Sequence, residues 1–395
     1  MFALTYAPLT EDGGSVYISA AIPYNFCNVP GLHRQTPGCV MAGVDSNQRR
    51  PSQSKPPSKA AGGLRRGARM CDVAKLADVS AMTVSRALRN PNAVTAGTLK
   101  RIETAIGRTG YVPNRIAGSL ASRRTNVVGL IVPNLHNPIA AETIRGISEI
   151  LGAEFHLMIA ESGFLLKTEE AAVIAFLSQR VCGIVLHNTK HTPRTRQSLQ
   201  DAEIPCIETG NLTAKPIDMA VGFSNRDAAS AMTEYLVARG YRRIGFVSLP
   251  LKDNDRASER RHGYLSALAK HGIKAHPERI LEAAPGLRSG GQALVRLVES
   301  GTGVDAAFLT GDVLATGALL EANRRGWKIP GQIAIAGSDD TELQECILPS
   351  MTTIRFPRYE MGRRAASMLL DRLHSRARGS SVLDLGFEII QRASA

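Results

Sequence analysis

The chain has 395 residues and a formal charge of +13, from 48 basic and 35 acidic side chains; 44% of it is hydrophobic and 5% aromatic. That length allows two or three domains with ordinary buried cores, and the scarcity of aromatics argues against a carbohydrate-stacking or aromatic-cage protein. The charge is uneven: residues 1–69 hold 8 basic and 3 acidic groups, 70–124 hold 9 and 3, and the remainder is nearly balanced at 31 and 29. A basic excess at one end points to an anionic partner, nucleic acid or a membrane surface.

No stretch of about 18 apolar residues is present to span a bilayer. Glu11 and Asp12 stand where a secretory leader would be positive, so neither export nor membrane insertion is expected. The six cysteines (Cys27, Cys39, Cys71, Cys182, Cys206, Cys346) lack CxxC spacing, which fits a reducing compartment and argues against a metal-finger framework. HExxH, GxxxxGK[ST] and GxSxG are absent, so no catalytic residue, cofactor or metal site is expected, and the chain does not read as an enzyme.

Residues 1–69 show no sustained period, and NQRRPSQSKPPSKAAGGLRRGAR (47–69) is too rich in Pro, Ser, Gly and basic residues to bury a core. This extension is expected to be disordered. It is either a basic arm with nonspecific DNA affinity or a segment upstream of the true translation start.

From Met70 the texture changes. In CDVAKLADVS (71–80), Val73, Ala74 and Ala77 fall at helical spacing. AMTVSRALRN (81–90) starts a second helix with Val84, Ala87 and Leu88 facing inward, and Asn90-Pro91-Asn92 stops it. TAGTLKRIETAIGRTG (95–110) is a third, capped by Thr95, with Leu99, Ile102 and Ile106 as its stripe and Gly110 as its end. Three short helices with a tight break between the first two spell a helix-turn-helix. The second would enter a major groove: Thr83 and Ser85 toward phosphates, Ala81, Met82 and Arg86 toward base edges, Arg86 bidentate to guanine. Arg89, Lys100 and Arg101 would add phosphate contacts.

NRIAGSLASRRT (114–125) is moderately helical with little to pack against. From residue 126 apolar runs at 127–133, 155–161, 182–188, 205–210, 243–250, 306–312 and 333–340 read as buried parallel strands. Helical stretches at 138–152, 168–180, 226–239, 256–271, 313–325 and 358–375 alternate with them. This is an α/β architecture, long enough for two subdomains around a cleft.

The order and spacing of DVA, the Val-Ser turn, TVSRALRN, YVPNRIAGSLAS and NVVGLIVPN resemble the LacI/GalR family of bacterial repressors, and the resemblance continues to Ile390. It implies a headpiece at 70–113, a hinge helix within 114–125, and a periplasmic-binding-protein-like effector domain at 126–395 that dimerises. The N-subdomain would hold about 126–223 and 355–378, the C-subdomain about 224–354 and 379–395. It also adds Ser80, Thr95, Thr98, Asn114 and Ala117 to the DNA-contacting set, with Leu120 as a minor-groove wedge that kinks the duplex.

By the same resemblance, the effector cleft would use Leu135, His136 and Asn137 from the loop 133–138, with Glu208, Phe223, Arg260, Asp312 and Ser338. HTPRT (191–195), DMAVGFSN (218–225) and LDLGF (383–387) resemble gluconate-operon repressors within the family. Arg260 and Arg355 could then meet a carboxylate, while Glu208 and Asp312 serve the polyol end. The implied protein is a cytoplasmic, nucleoid-associated homodimer without a membrane partner. It would bind near-palindromic double-stranded operator DNA and release it on binding gluconate or a related sugar acid. The alternatives are another ligand (a neutral sugar or purine), use of the ligand as corepressor, or, more distantly, a solute-binding protein.

Overall fold

The computed structural model describes residues 17–18, 68–112, 125–136, 138–375 and 381–395. The chain divides into two compact units, one spanning residues 22–122 and the other the rest. Among the described residues no helix is long and apolar enough to cross a membrane.

In the first unit, α1 (Met70–Leu76), α2 (Ala81–Arg89) and α3 (Ala96–Thr109) follow one another closely. Each start is fixed locally. Asp72 accepts from the Arg69 amide, Ser80 Oγ from the Thr83 amide at 3.0 Å, and Thr95 Oγ1 from the Thr98 amide at 3.3 Å. Gly110 ends α3 in the left-handed region at φ 64°, which favours glycine. Val73, Ala74, Ala77, Val84, Ala87, Ile102, Ala105 and Tyr111 form the core. Leu88, expected inside, is instead 37% exposed: Val84 and Ala87 supply the buried face of α2, and Leu88 falls at its edge.

The second unit carries two sheets. The first contains β1 (Tyr17–Ile18), β2 (Val127–Val132), β3 (His156–Glu161), β4 (Gly183–Leu186), β5 (Cys206–Thr209), β6 (Met219–Gly222) and β12 (Ser381–Asp384). They lie in the order β1-β3-β2-β4-β5-β6-β12, all parallel. The second contains β7 (Ile244–Ser248), β8 (Ile280–Glu282), β9 (Ala306–Thr310), β10 (Ala334–Ser338), β11 (Thr352–Arg355) and β13 (Glu388–Ile390). Their order is β13-β11-β10-β9-β7-β8, with only β13 antiparallel. Of the expected disordered extension, only residues 17–18 and 68–69 fall among the described residues.

Around the first sheet lie α4 (Pro138–Leu151), α5 (Leu166–Ser178), α6 (Pro193–Ala202) and α12 (Arg358–Ser375). With the second go α7 (Asn225–Ala238), α8 (Asp255–Lys270), α9 (Leu287–Glu299), α10 (Asp312–Arg324) and the short α11 (Glu342–Cys346). Helices α4 and α12 touch along bare backbone: a Cβ on Gly146 would strike the Tyr359 carbonyl, and one on Gly362 the Thr143 carbonyl.

The chain passes between the two lobes after β6, after β11 and again after β12. The last crossing corrects one expectation, since residues 379–395 do not all belong to the second lobe. Strand β12 pairs with β6 of the first sheet, and the chain reaches the second only at β13. Short, half-exposed strands such as β12 carry no apolar run to announce them.

Candidate functional site

On α2 the cap and the apolar back determine what faces outward. Val84 and Ala87 are buried; Ser80, Ala81, Met82 and Arg86 are exposed, Met82 at 70%; Thr83 and Ser85 are half-buried. The Ser80 and Thr83 hydroxyls bond each other at 2.8 Å, and Thr95 bonds Thr98 at 2.9 Å. Lys100 and Arg101 lie exposed on α3, and Arg89 is the last residue of α2. This is a small basic head whose second helix presents a short, mixed polar and apolar face. Asn114, Ala117 and Leu120 of the expected hinge, and Asn137, lie outside the described residues.

Between the two sheets of the second unit is a cavity of about 260 Å³. From the expected set, His136, Arg260 and Asp312 line it, with Asn134 from the same loop as His136. Four others do not. Leu135 packs against the core, and its amide points to Glu161. Ser338 is buried and donates to Asp339 at 3.0 Å. Phe223 lies fully buried beneath the wall, stacked on Phe356 at 4.1 Å between ring centres. Glu208 is buried elsewhere in the first lobe, accepting from the Ile217 amide and from His191 at 3.2 Å.

His191 is held between two carboxylates, with Nδ1 at 2.6 Å from Glu169 and Nε2 facing Glu208. Burial alone would depress the imidazole, but hydrogen bonds and charge from Glu169 and Glu208 outweigh it and raise the pKa to about 9. Glu208, expected at the polyol end of the ligand, therefore belongs instead to a buried cluster with His191 and Glu169.

The cavity's charge comes mostly from residues the sequence did not single out: Arg256, Arg358, Asp339 and His187, beside Arg260 and Asp312. Arg355, expected to face the ligand, points outward to Asp340 at 2.6 Å and Glu388 at 3.4 Å. After Pro357 a helix begins, and its first residue, Arg358, is the inward arginine, bonded to Asp339 at 2.5 Å. The paired aspartates divide the same way: Asp339 faces Arg358, and Asp340 faces Arg355 and Arg392.

Each guanidinium is anchored differently. Arg260 donates through Nε to Asn225 at 2.8 Å and through Nη1 to the Thr310 carbonyl at 3.2 Å. Arg256 reaches from the second lobe to the His187 carbonyl of the first at 2.6 Å. Arg358 lies over both Phe223 and Phe356, at 4.9 and 5.2 Å from their centres. Burial pushes Arg260 down to about 10, still cationic at neutral pH. His187 is pushed well below the usual imidazole range by burial and by the charges of Arg256, Arg358 and Arg260, so it is neutral. Burial works to raise the Asp339 carboxyl, but Arg358 and Arg260 hold it below its ordinary value. Three guanidiniums thus face two carboxylates across one small cleft, a wall suited to an anionic, hydroxyl-rich molecule.

Comparison with protein families matches residues 69–114 to bacterial regulatory proteins of the lacI family and residues 233–395 to a periplasmic binding protein-like domain. The chain is 33% identical over 319 residues to the HTH-type transcriptional regulator GntR of Escherichia coli K12, covering 80% of this chain and 96% of that protein. It is 31% identical over 330 residues to the HTH-type transcriptional repressor CytR of the same organism, covering 83% and 96%. Among solved structures it is similar to the lac repressor dimer bound to operator and an anti-inducer. There the TM-score is 0.70 at 26% identity, covering 83% of this chain and 99% of that one.

Proposed function

Since the chain belongs to the LacI family of bacterial regulatory proteins, we propose that it is a repressor released from operator DNA by a sugar acid, gluconate or a close relative. It acts as a homodimer in the cytoplasm, each headpiece reading one half of a near-palindromic site. Arg86 and Met82 of α2 meet base edges, Ser80, Thr83, Ser85, Arg89, Thr95 and Thr98 meet the backbone, and the hinge residues Asn114, Ala117 and Leu120 meet the minor groove. The cleft binds one effector: the arginines take its carboxylate, while Asp312, His136 and neutral His187 meet its hydroxyls.

The observation that carries this reading is the convergence of Arg256, Arg260 and Arg358 on one cavity between two lobes. The hydroxyls of a neutral sugar can also accept from guanidiniums, but a carboxylate accepts from them as an ion pair, bidentately, and gains more. The ligand gates DNA binding only if it prefers one arrangement of the lobes, by about 1–3 kcal/mol or more.

Thermal-shift screening of the purified protein tests this with gluconate, 2-keto- and 5-ketogluconate, idonate and neutral sugars. Stabilisation by the acids and not by the sugars is the expected result. The similarity to CytR favours a second reading, with another small molecule in the same cleft. Stabilisation by purines or neutral sugars, with sugar acids inert, would select that reading instead.

A further inference from the structure

We infer that Arg358 is the residue that distinguishes a charged from a neutral effector, and that it does so by sharing its guanidinium between the effector's carboxylate and Asp339 across the lobe boundary. The inference rests on the sugar-acid reading above and adds to it the specificity-determining residue.

Position comes first. Arg358 opens α12 in the first lobe, immediately after the crossing at Phe356 and Pro357. Asp339 follows β10 of the second lobe. Their 2.5 Å ion pair therefore joins the lobes beside a crossing, and both residues line the cavity.

Donor accounting comes next. Arg260 has Nε and Nη1 engaged, by Asn225 and Thr310. Arg256 is drawn toward the His187 carbonyl and Asp255. Arg358, only 7% exposed, bonds Asp339 through Nη2, and its Nε is buried with no hydrogen-bond partner among the described residues. That Nε is sealed from the cavity, so an effector carboxylate would meet the guanidinium along its Nη edge, where Arg358 lines the cavity and already bonds Asp339. The two phenyl rings hold the guanidinium in place, so little freedom remains to be lost when an anion arrives.

Asp339 tolerates the sharing. It also accepts from the Ser338 hydroxyl at 3.0 Å and lies in the field of Arg260. An effector carboxylate thus loosens the cross-lobe pair without stranding Asp339, whereas a neutral polyol leaves the pair intact.

Calorimetry with D-gluconate and neutral D-glucitol tests this on the full chain, with melting curves as the check on folding. In the unmodified protein gluconate should bind at least about 100-fold more tightly than glucitol. In the double variant Arg358→Met/Asp339→Asn, which removes both charges of the pair together, that ratio should fall to about 10-fold or less. Arg358→Lys keeps the charge but loses the fork and should fall between the two; if the double variant fails to fold, this single variant decides. An unchanged ratio, or equal weakening of both ligands, would make Arg358 a purely structural strut and overturn the inference alone. Absence of any sugar-acid binding by the unmodified protein would overturn the proposed function and this inference with it.

Discussion

Asp255, the first residue of α8 in the second lobe, accepts from both the amide and the hydroxyl of Thr189 in the first, at 3.0 and 2.5 Å. Asn211, also of the first lobe, adds a third donor to the same oxygen at 3.1 Å. One carboxylate oxygen thus fastens two separately built lobes beside the cleft. Burial works to raise the Asp255 carboxyl, and Arg256 together with these donors keeps it below its ordinary value.

Asp255→Asn keeps the shape but places an amide opposite donors that need an acceptor. The expected result is a loss of roughly 1–3 kcal/mol of stability, with weaker effector binding as the lobes close less readily. Denaturant unfolding and calorimetry of the variant check both. Because the folded-state pKa is depressed, this contribution is present above the ordinary carboxylate range and lost as pH falls through the lower folded value.

The triad of Glu169, His191 and Glu208 gives the opposite pH dependence. With the folded pKa raised from 6.5 to about 9, its stabilisation is complete below 6.5 and disappears as pH rises through 9. A shift of that size corresponds to a few kcal/mol, on the order of 3. Unfolding midpoints measured from pH 6 to 10 should therefore decline on the alkaline side, and His191→Gln should flatten that decline. An unchanged slope in the variant would remove the charged triad from the account.

On the headpiece, Arg86→Ala should cost about 1–3 kcal/mol of discrimination between the preferred site and random duplex, without altering effector binding. Lys100→Ala should weaken binding to all duplexes alike and lower the salt slope by about 1. Competition assays at several salt concentrations separate the two behaviours.

Gly146→Ala sets a methyl group against the Tyr359 carbonyl, where α4 meets α12. Two backbones must then part, and a loss of about 1–3 kcal/mol in stability is expected. Gly107→Ala, whose added methyl would meet open space, is the control and should be neutral or slightly stabilising.

Much of this molecule could be read from its sequence, for physical reasons that also explain the misses. The three headpiece helices were legible because cap, apolar stripe and stop occur together, and the central strands because a buried parallel strand is a continuous apolar run. β8, β12 and β13 are short and partly exposed, so they carry no such run. In the cleft, Arg260 and Asp312 are expected from their place in the family pattern, and both line the cavity. Arg358 was missed in favour of Arg355 because strand periodicity ends at Pro357, and only the turn into α12 decides which arginine faces inward. Glu208 misled for a related reason: a carboxylate at the end of a central strand looks like a ligand contact until its buried histidine partner is seen.

The most direct test selects the preferred duplex from a random pool with ligand-free protein, then titrates D-gluconate into the complex while following DNA fluorescence anisotropy. The account predicts a near-palindromic site bound at least about 10³-fold more tightly than random DNA, with affinity falling about tenfold or more as the cleft fills. A protein that shows no preference among duplexes, or one whose DNA affinity is indifferent to every sugar acid, would contradict it.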